Sequence, residues 1–268
     1  MSAVLEGIPG VLCHLDDVLV YGKDSQEHDS RLIAVLERIR AAGITVNPTK
    51  CEFAKTQLTF LGHLINHNGI SADPAKTSAI KQMPPPNNIA ELRRFFGMAN
   101  QLGKFSPNLS EISAPLRRLL SHKQAWLWGP DQEQSYRQLQ SELTTPTVLR
   151  LYDPQANTKI SADASSYGIG AILLQQADKK WLLVAYASRA MTITESRYSQ
   201  IEKEALAITW ACDKFSSYVL GRHVLLETDH KPLVPLMTYK HLDDLPPQVL
   251  RFRLRLMRFD YHIIHVPG

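Results

Sequence analysis

Two sets of carboxylates in this sequence have residue types and spacings suited to chemistry. The first is the adjacent pair Asp16 and Asp17, set between the apolar runs Val11-Leu12-Cys13 and Val18-Leu19-Val20-Tyr21. Neighbouring carboxylates repel, so such a pair is best tolerated where a cation neutralises it or water reaches it freely, and hard oxygen ligands suit magnesium. An isolated Asp-Asp pair is more often a solvated turn; the strong apolar flanks raise the metal reading somewhat. The second set is dispersed: Asp163 ends one strand-like segment, Asp229 ends another, and Glu204 lies one residue off the apolar stripe of a long helical pattern. A helix packed on a sheet through that stripe would draw Glu204 toward the sheet, where a half-buried carboxylate needs a cation or donors to offset desolvation. Singly, each reads as an ordinary strand-end or helix-surface carboxylate; jointly they describe a divalent-metal site. Two magnesium ions roughly 4 Å apart can activate water and stabilise the leaving oxygen of a phosphodiester, so the implied chemistry is hydrolysis. Arg251, Arg253, Arg255 and Arg258 form a basic cluster that suits phosphate contacts, or else the solvated face of an amphipathic segment.

The elements that must position these residues follow from apolar periodicity and from breakers. The two apolar runs around residues 14–17 predict a hairpin with a polar tip. Ser25 can cap the next helix, whose Leu32, Val35, Leu36 and Ile39 share a face and whose end is marked by Gly43. A second hairpin is expected over 60–70, turning at Asn68-Gly69, followed by a helix opening at Asp73-Pro74 and stopping before Pro84-Pro85-Pro86, a hinge candidate. Helical pattern from Ile89 to about Leu120, with Leu92, Phe95, Phe96, Met98 and Leu102 inward, should be broken at Pro107 and Pro115. After Asp153-Pro154 the pattern changes. Lys159 to Asp163, a Gly168-Ile169-Gly170 turn, Ala171 to Leu174 and Leu182 to Tyr186 predict three antiparallel strands. A helix of about five turns carries Ile201, Ala205, Ile208, Cys212, Phe215 and Val219, and ends at Gly221. A strand over 224–228 leads to Asp229. Residues 250–255 fit either period, since they alternate strictly while Leu250, Leu254 and Met257 share a helical face.

A chain of 268 residues is long enough for about two compact units. With 44% hydrophobic and 21% charged residues, nothing in it reads as disordered. Three scattered cysteines, Cys13, Cys51 and Cys212, suggest neither a disulfide framework nor a zinc cluster, and fit a reducing compartment. No apolar run approaches the roughly 20 residues of a membrane helix, and the N-terminus lacks a signal-peptide pattern, so the expectation is a soluble intracellular protein with no membrane partner. A net charge of +4 permits a polyanionic partner without requiring one.

Several blocks carry a family resemblance. His14-Leu15-Asp16-Asp17 resembles the Tyr-x-Asp-Asp motif of reverse transcriptases, and Phe60-Leu61-Gly62-His63 their primer-grip hairpin. Glu91-Leu92-Arg93-Arg94-Phe95-Phe96-Gly97 is similar to the thumb of gypsy-type LTR retrotransposon Pol polyproteins. Asp163 to Gly170, Ile201 to Ala207 and Thr228 to Leu233 resemble the ribonuclease H of the same family. The resemblance implies an α/β (α+β) fold: the C-terminal part of a palm over 1–72, a thumb over 73–122, a connecting segment over 123–154 and a ribonuclease H-like mixed-sheet domain over 155–268. It implies that Asp163, Glu204 and Asp229 bind Mg2+, with Mn2+ as a substitute, to cleave RNA in RNA–DNA hybrids, and that Asp16 and Asp17 belong to a polymerase metal site acting on primer-template nucleic acid. Arg251, Arg255 and Arg258 are the candidate nucleic-acid contacts. His14 stands where the motif has tyrosine. A further palm aspartate, the fingers and a last ribonuclease H carboxylate fall outside the sequence, so polymerisation is expected only with the remainder of a Pol polyprotein, and nuclease activity is expected to be low, to need more metal, or to be absent. The rival expectation is a non-catalytic nucleic-acid-binding remnant of a transposable element. The family also implies cytoplasmic reverse transcription.

Overall fold

The computed structural model describes residues 1–121 and 125–267, in two compact units, Met1–Phe60 and Leu61–Gly268. The expected boundary between thumb and connecting segment at 122/123, and the closing Gly268, lie outside the described residues. No helix among them is long and apolar enough to cross a membrane.

The first unit contains α1 (Ser2–Leu5), β1 (Val11–His14), β2 (Asp17–Val20), α2 (Ser25–Ala41) and β3 (Gln57–Phe60). β1 and β2 pair antiparallel with His14 opposite Asp17, so Asp17 is the first rung of β2 and the turn is Leu15-Asp16. Leu15 takes a φ of 53° there, the left-handed conformation such a tight turn demands. The cap of α2 is Asp24 rather than Ser25: its carboxylate accepts from the Glu27 N–H at 2.8 Å, while Glu27 accepts from the Lys23 N–H at 2.7 Å. Val35 and Ile39 of α2 bury against Leu5, with Val11, Val18 and Val20 of the hairpin packed on them.

The second unit opens with the hairpin β4 (His63–Asn66) and β5 (Gly69–Ala72), in which Asn66 faces Gly69 across a His67-Asn68 turn. Gly69, at φ 136°, lies where an added Cβ would meet the Leu149 carbonyl. That closeness lets Ile70 and Leu149 exchange main-chain hydrogen bonds of 2.7 and 2.8 Å. α3 (Pro74–Gln82) is capped by Asp73 with Pro74 in its first turn. The hinge candidate at Pro84 has its leading carbonyls fastened to α7 (Pro130–Thr144). Tyr136 Oη donates to Met83 O at 2.8 Å and Pro84 O at 3.0 Å, and Gln140 Nε2 donates to Ile80 O and Met83 O at 2.9 Å. Between these helices run α4 (Ile89–Leu102), α5 (Leu109–Ile112) and α6 (Ala114–Arg118). On α4 the buried positions are Leu92, Phe95, Phe96, Ala99 and Leu102; Met98, expected inward, is only partly buried. The expected break at Pro115 falls at Ser113, between α5 and α6, and Pro115 sits in the first turn of α6, where its missing N–H costs nothing.

A five-stranded sheet follows, ordered β10-β9-β6-β7-β8. β6 (Thr158–Ala164), β7 (Gly168–Ala177) and β8 (Lys180–Ala190) are antiparallel, whereas β9 (His223–Thr228) runs parallel to β6 and β10 (Asp260–His265) parallel to β9. Gly168-Ile169-Gly170, expected as a turn, opens β7 instead, and the turn is made by Ser165, whose Oγ accepts from the N–H groups of Tyr167 and Gly168. Gly168 is glycine for closeness: an added Cβ would lie 2.7 Å from Arg189 O and 2.8 Å from Ser110 Oγ. α8 (Gln200–Lys214) starts from a capping box of Ser199 and Glu202 and packs on β6. The expected five-turn helix is divided at Phe215, with the short α9 (Ser216–Val219) beyond it. α10 (Leu233–Met237) and α11 (Pro247–Leu256) complete the unit. The ambiguous 250–255 stretch is therefore helical, but its buried face is Val249, Phe252 and Leu256, while Leu254 and Met257 of the anticipated face are exposed.

Candidate functional site

β6 and β9 run parallel with Ser161 beside Glu227, so two residues further on Asp163 and Asp229 reach the same end of the sheet. α8, drawn onto β6 by Ala205, Ile208 and Cys212, brings Glu204 to that end. One oxygen from each of Asp163, Glu204 and Asp229 lies within 4.8 Å of the others, the only cluster of three or more such ligands among the described residues. Asp163 and Asp229 are exposed, whereas Glu204 is 2% exposed. Glu204 Oε1 accepts from Gln200 Nε2, and its Oε2 is buried with no hydrogen-bond partner among the described residues. Burial first, then the charges of Asp163 and Asp229, push the Glu204 carboxyl up to about 7, against the pull of the Gln200 amide and the Ala164 N–H. A desolvated, unpartnered carboxylate oxygen beside two exposed carboxylates is an all-oxygen donor set that suits a hard divalent cation. At the rim, the Asp163 Oδ1 accepts from the Ala164 N–H at 2.7 Å, and His265 Nε2 lies 3.1 Å from the Asp229 carbonyl.

A cleft of about 190 Å3 runs beside Asp163. One wall is Ser161, Asp163, Gly170 and Ile172 of the sheet; the other is Asn108 and Glu111 of the helical segment. Gly170 pairs with Asp163 across the ladder and would meet nothing within 4 Å if it carried a Cβ. Nothing in the amino-acid sequence announces this second wall, because residues 107–111 and 161–172 are joined only by tertiary packing. Gln200 left a weaker trace, its i, i+4 spacing from Glu204.

The remaining predicted residues are distributed differently. Asp16 and Asp17 are exposed at the hairpin tip in the first unit, outside any three-ligand cluster among the described residues. Arg255 and Arg258 both pair with Asp213 of α8, Arg258 at 3.5 Å. Arg253 donates to the carbonyls of Leu236, Thr238 and Lys240, tying down the end of α10. Among the described residues Arg251 reaches Gln248, at 3.5 Å.

Residues 1–65 match the reverse transcriptase (RNA-dependent DNA polymerase) family and residues 128–226 the RNase H-like domain found in reverse transcriptase. The second match includes Asp163 and Glu204 and stops three positions before Asp229. Among curated relatives, the chain is 32% identical over 273 residues to the retrovirus-related Pol polyprotein from transposon opus of Drosophila melanogaster, covering 97% of this chain and 27% of the relative. It is also 32% identical over 261 residues to the transposon Tf2-3 polyprotein of Schizosaccharomyces pombe, covering 96% and 20%. The chain thus spans about a quarter or less of these relatives. Its fold is that of the foamy viral protease-reverse transcriptase, with a TM-score of 0.86 and 22% identity over 100% of this chain and 48% of the structure with double-stranded DNA. The structure with RNA/DNA hybrid gives 0.85 and 22%, covering 99% and 36%. Two domain matches in order mark this chain as a reverse transcriptase/ribonuclease H region, and the relatives that it matches over nearly all its length are retrotransposon Pol polyproteins.

Proposed function

We propose that Asp163, Glu204 and Asp229 hold divalent metal, magnesium with manganese as a substitute, and that the chain cuts the RNA strand of RNA–DNA hybrids. The observation that carries this reading is the convergence of the three carboxylates, one of which, Glu204, has a buried Oε2 with no hydrogen-bond partner among the described residues. The bound metal would supply activation of the attacking water and stabilisation of the leaving oxygen. The chain's own contribution is to fix three oxygens on rigid elements, two strand ends and one helix, and to keep one of them out of water. Family membership supports the hybrid substrate, and the cleft beside Asp163 provides a place for a strand to lie against the metal ligands.

The same reading assigns 1–72 to a palm, 73–122 to a thumb, 123–154 to a connecting segment and 155–268 to the nuclease domain. Asp16 and Asp17 would then serve a polymerase metal site within a longer Pol polypeptide, working on primer-template nucleic acid in the cytoplasm. Arg251, Arg255 and Arg258 would meet phosphates, the last two by exchanging Asp213 for the backbone. The test is cleavage of a labelled hybrid with Mg2+ or Mn2+, comparing the chain with Asp163→Asn and with chelator present. Metal-dependent cutting that Asp163→Asn abolishes supports the reading; intact hybrid with folded protein leaves at most a binding role.

A further inference from the structure

We infer that Gln200 is the positioning residue of this metal centre, holding one oxygen of Glu204 so that the other is presented to the cation. The inference rests on the proposed metal-binding role of the three carboxylates. Gln200 is the first residue of α8 and Glu204 lies four residues on, so both side chains share one helix face. Gln200 Nε2 donates to Glu204 Oε1 at 2.5 Å and to the Ala164 carbonyl at 3.4 Å. A carboxylate and a carbonyl accept only, so the amide nitrogen, not its oxygen, must face them. The Ala164 N–H in turn donates to Asp163 Oδ1. One amide therefore connects the helix carboxylate to the peptide that holds the strand carboxylate.

The result is an asymmetric Glu204. Its Oε1 has a donor, and its Oε2 is buried without one among the described residues. The Gln200 amide engages one carboxylate oxygen, which leaves the other, buried and without a donor among the described residues, as the Glu204 oxygen open to a cation. Hydrogen-bonding partners of metal ligands commonly contribute tenfold or more to affinity by fixing ligand orientation. Both N–H groups of the Gln200 amide are used within the protein, leaving only its oxygen for anything that approaches from solvent.

The test compares the full chain with Gln200→Met, which keeps the length of the side chain and removes both donors, and with Asp163→Asn. Mn2+ affinity is measured by titration, melting temperature without metal, and hybrid cleavage as separate kcat and KM. Gln200→Met is expected to weaken Mn2+ binding by about 10- to 100-fold. It should lower kcat at limiting metal with recovery at saturating metal, and leave KM for hybrid and the melting temperature in place. Unchanged Mn2+ affinity in Gln200→Met, beside loss of binding in Asp163→Asn, overturns the positioning role while the metal centre stands. A rise in KM alone overturns it in favour of a substrate contact. Wild-type chain that binds no Mn2+ removes the metal centre and this inference with it.

Discussion

Glu204 is a carboxylate placed where its charge is costly. Its folded pKa, raised to about 7 by burial and by two neighbouring carboxylates, lies above the usual carboxylate value. The folded state therefore binds its proton more tightly than the unfolded state does. Without metal, the associated stability is full below about pH 4.5 and is lost as pH rises through about 7. Glu204→Gln should raise the melting temperature of the metal-free chain at pH 8 and leave it unchanged at pH 4; thermal unfolding across pH checks this, and equal effects at both pH values would contradict it. Divalent metal should stabilise the wild type at pH 8 and not this variant. The three carboxylates were legible because strand ends and an apolar helix stripe can be counted along a sequence. Gln200 was not, since a polar residue in a first helical turn looks like any solvated one. Nor was the capture of Arg253 by the end of α10, which depends on neighbours 13 to 17 residues away in the chain.

At the scale of elements, α8 must leave the sheet in a fixed direction for Glu204 to meet Asp163. The segment before it is clamped by Arg189, which makes two hydrogen bonds of 2.7 and 2.8 Å to Glu195 while stacking over Trp210. Arg189, assisted by Thr192, holds the Glu195 carboxyl down at about 2. The stability this provides is present above about pH 4.5 and is lost as pH falls through about 2. Glu195→Gln should cost about 2 kcal/mol at pH 7 in a denaturant titration, shrinking toward zero near pH 2, and no loss at neutral pH would contradict the clamp. The cleft makes a separate prediction. Gly170→Val places a side chain in open space beside Asp163, so hybrid cleavage should fall at least about tenfold while the melting temperature holds; unimpaired cleavage would show that the cleft is not used. Gly168, two residues earlier, looks like a turn residue because glycine marks both turns and close approaches, and only packing against Ser110 and Arg189 separates the two there. The 250–255 stretch is undecided from sequence for a similar reason: Phe252, the residue that fixes which face is inward, fits both periods.

On the scale of the whole chain, the two units differ in what holds them. Residues 61–268 bury two extensive cores, one under the five-stranded sheet and one among the helices around Phe95 and Tyr136. Residues 1–60 rest on Leu5, Val35 and Ile39 with a two-stranded hairpin, and isolated two-stranded hairpins are marginal in water. Amides of β1 and β2 should exchange with solvent at least about 100-fold faster than those of β6 and β7, by hydrogen exchange with mass spectrometry; equal protection would contradict the difference. The sequence motifs located the carboxylates of both units but could not show that, among the described residues, one set alone has a third ligand at hand, which depends on a parallel strand pair and a helix meeting at one sheet end. The three-carboxylate site is tested by cleavage of an RNA–DNA hybrid labelled on each strand, with Mg2+, by the wild type and by Asp163→Asn, Glu204→Gln and Asp229→Asn. Cutting should be confined to the RNA strand and lowered at least about 100-fold by each substitution; cutting that survives all three, or that falls equally on the DNA strand, would mean that these carboxylates do not form a ribonuclease H site.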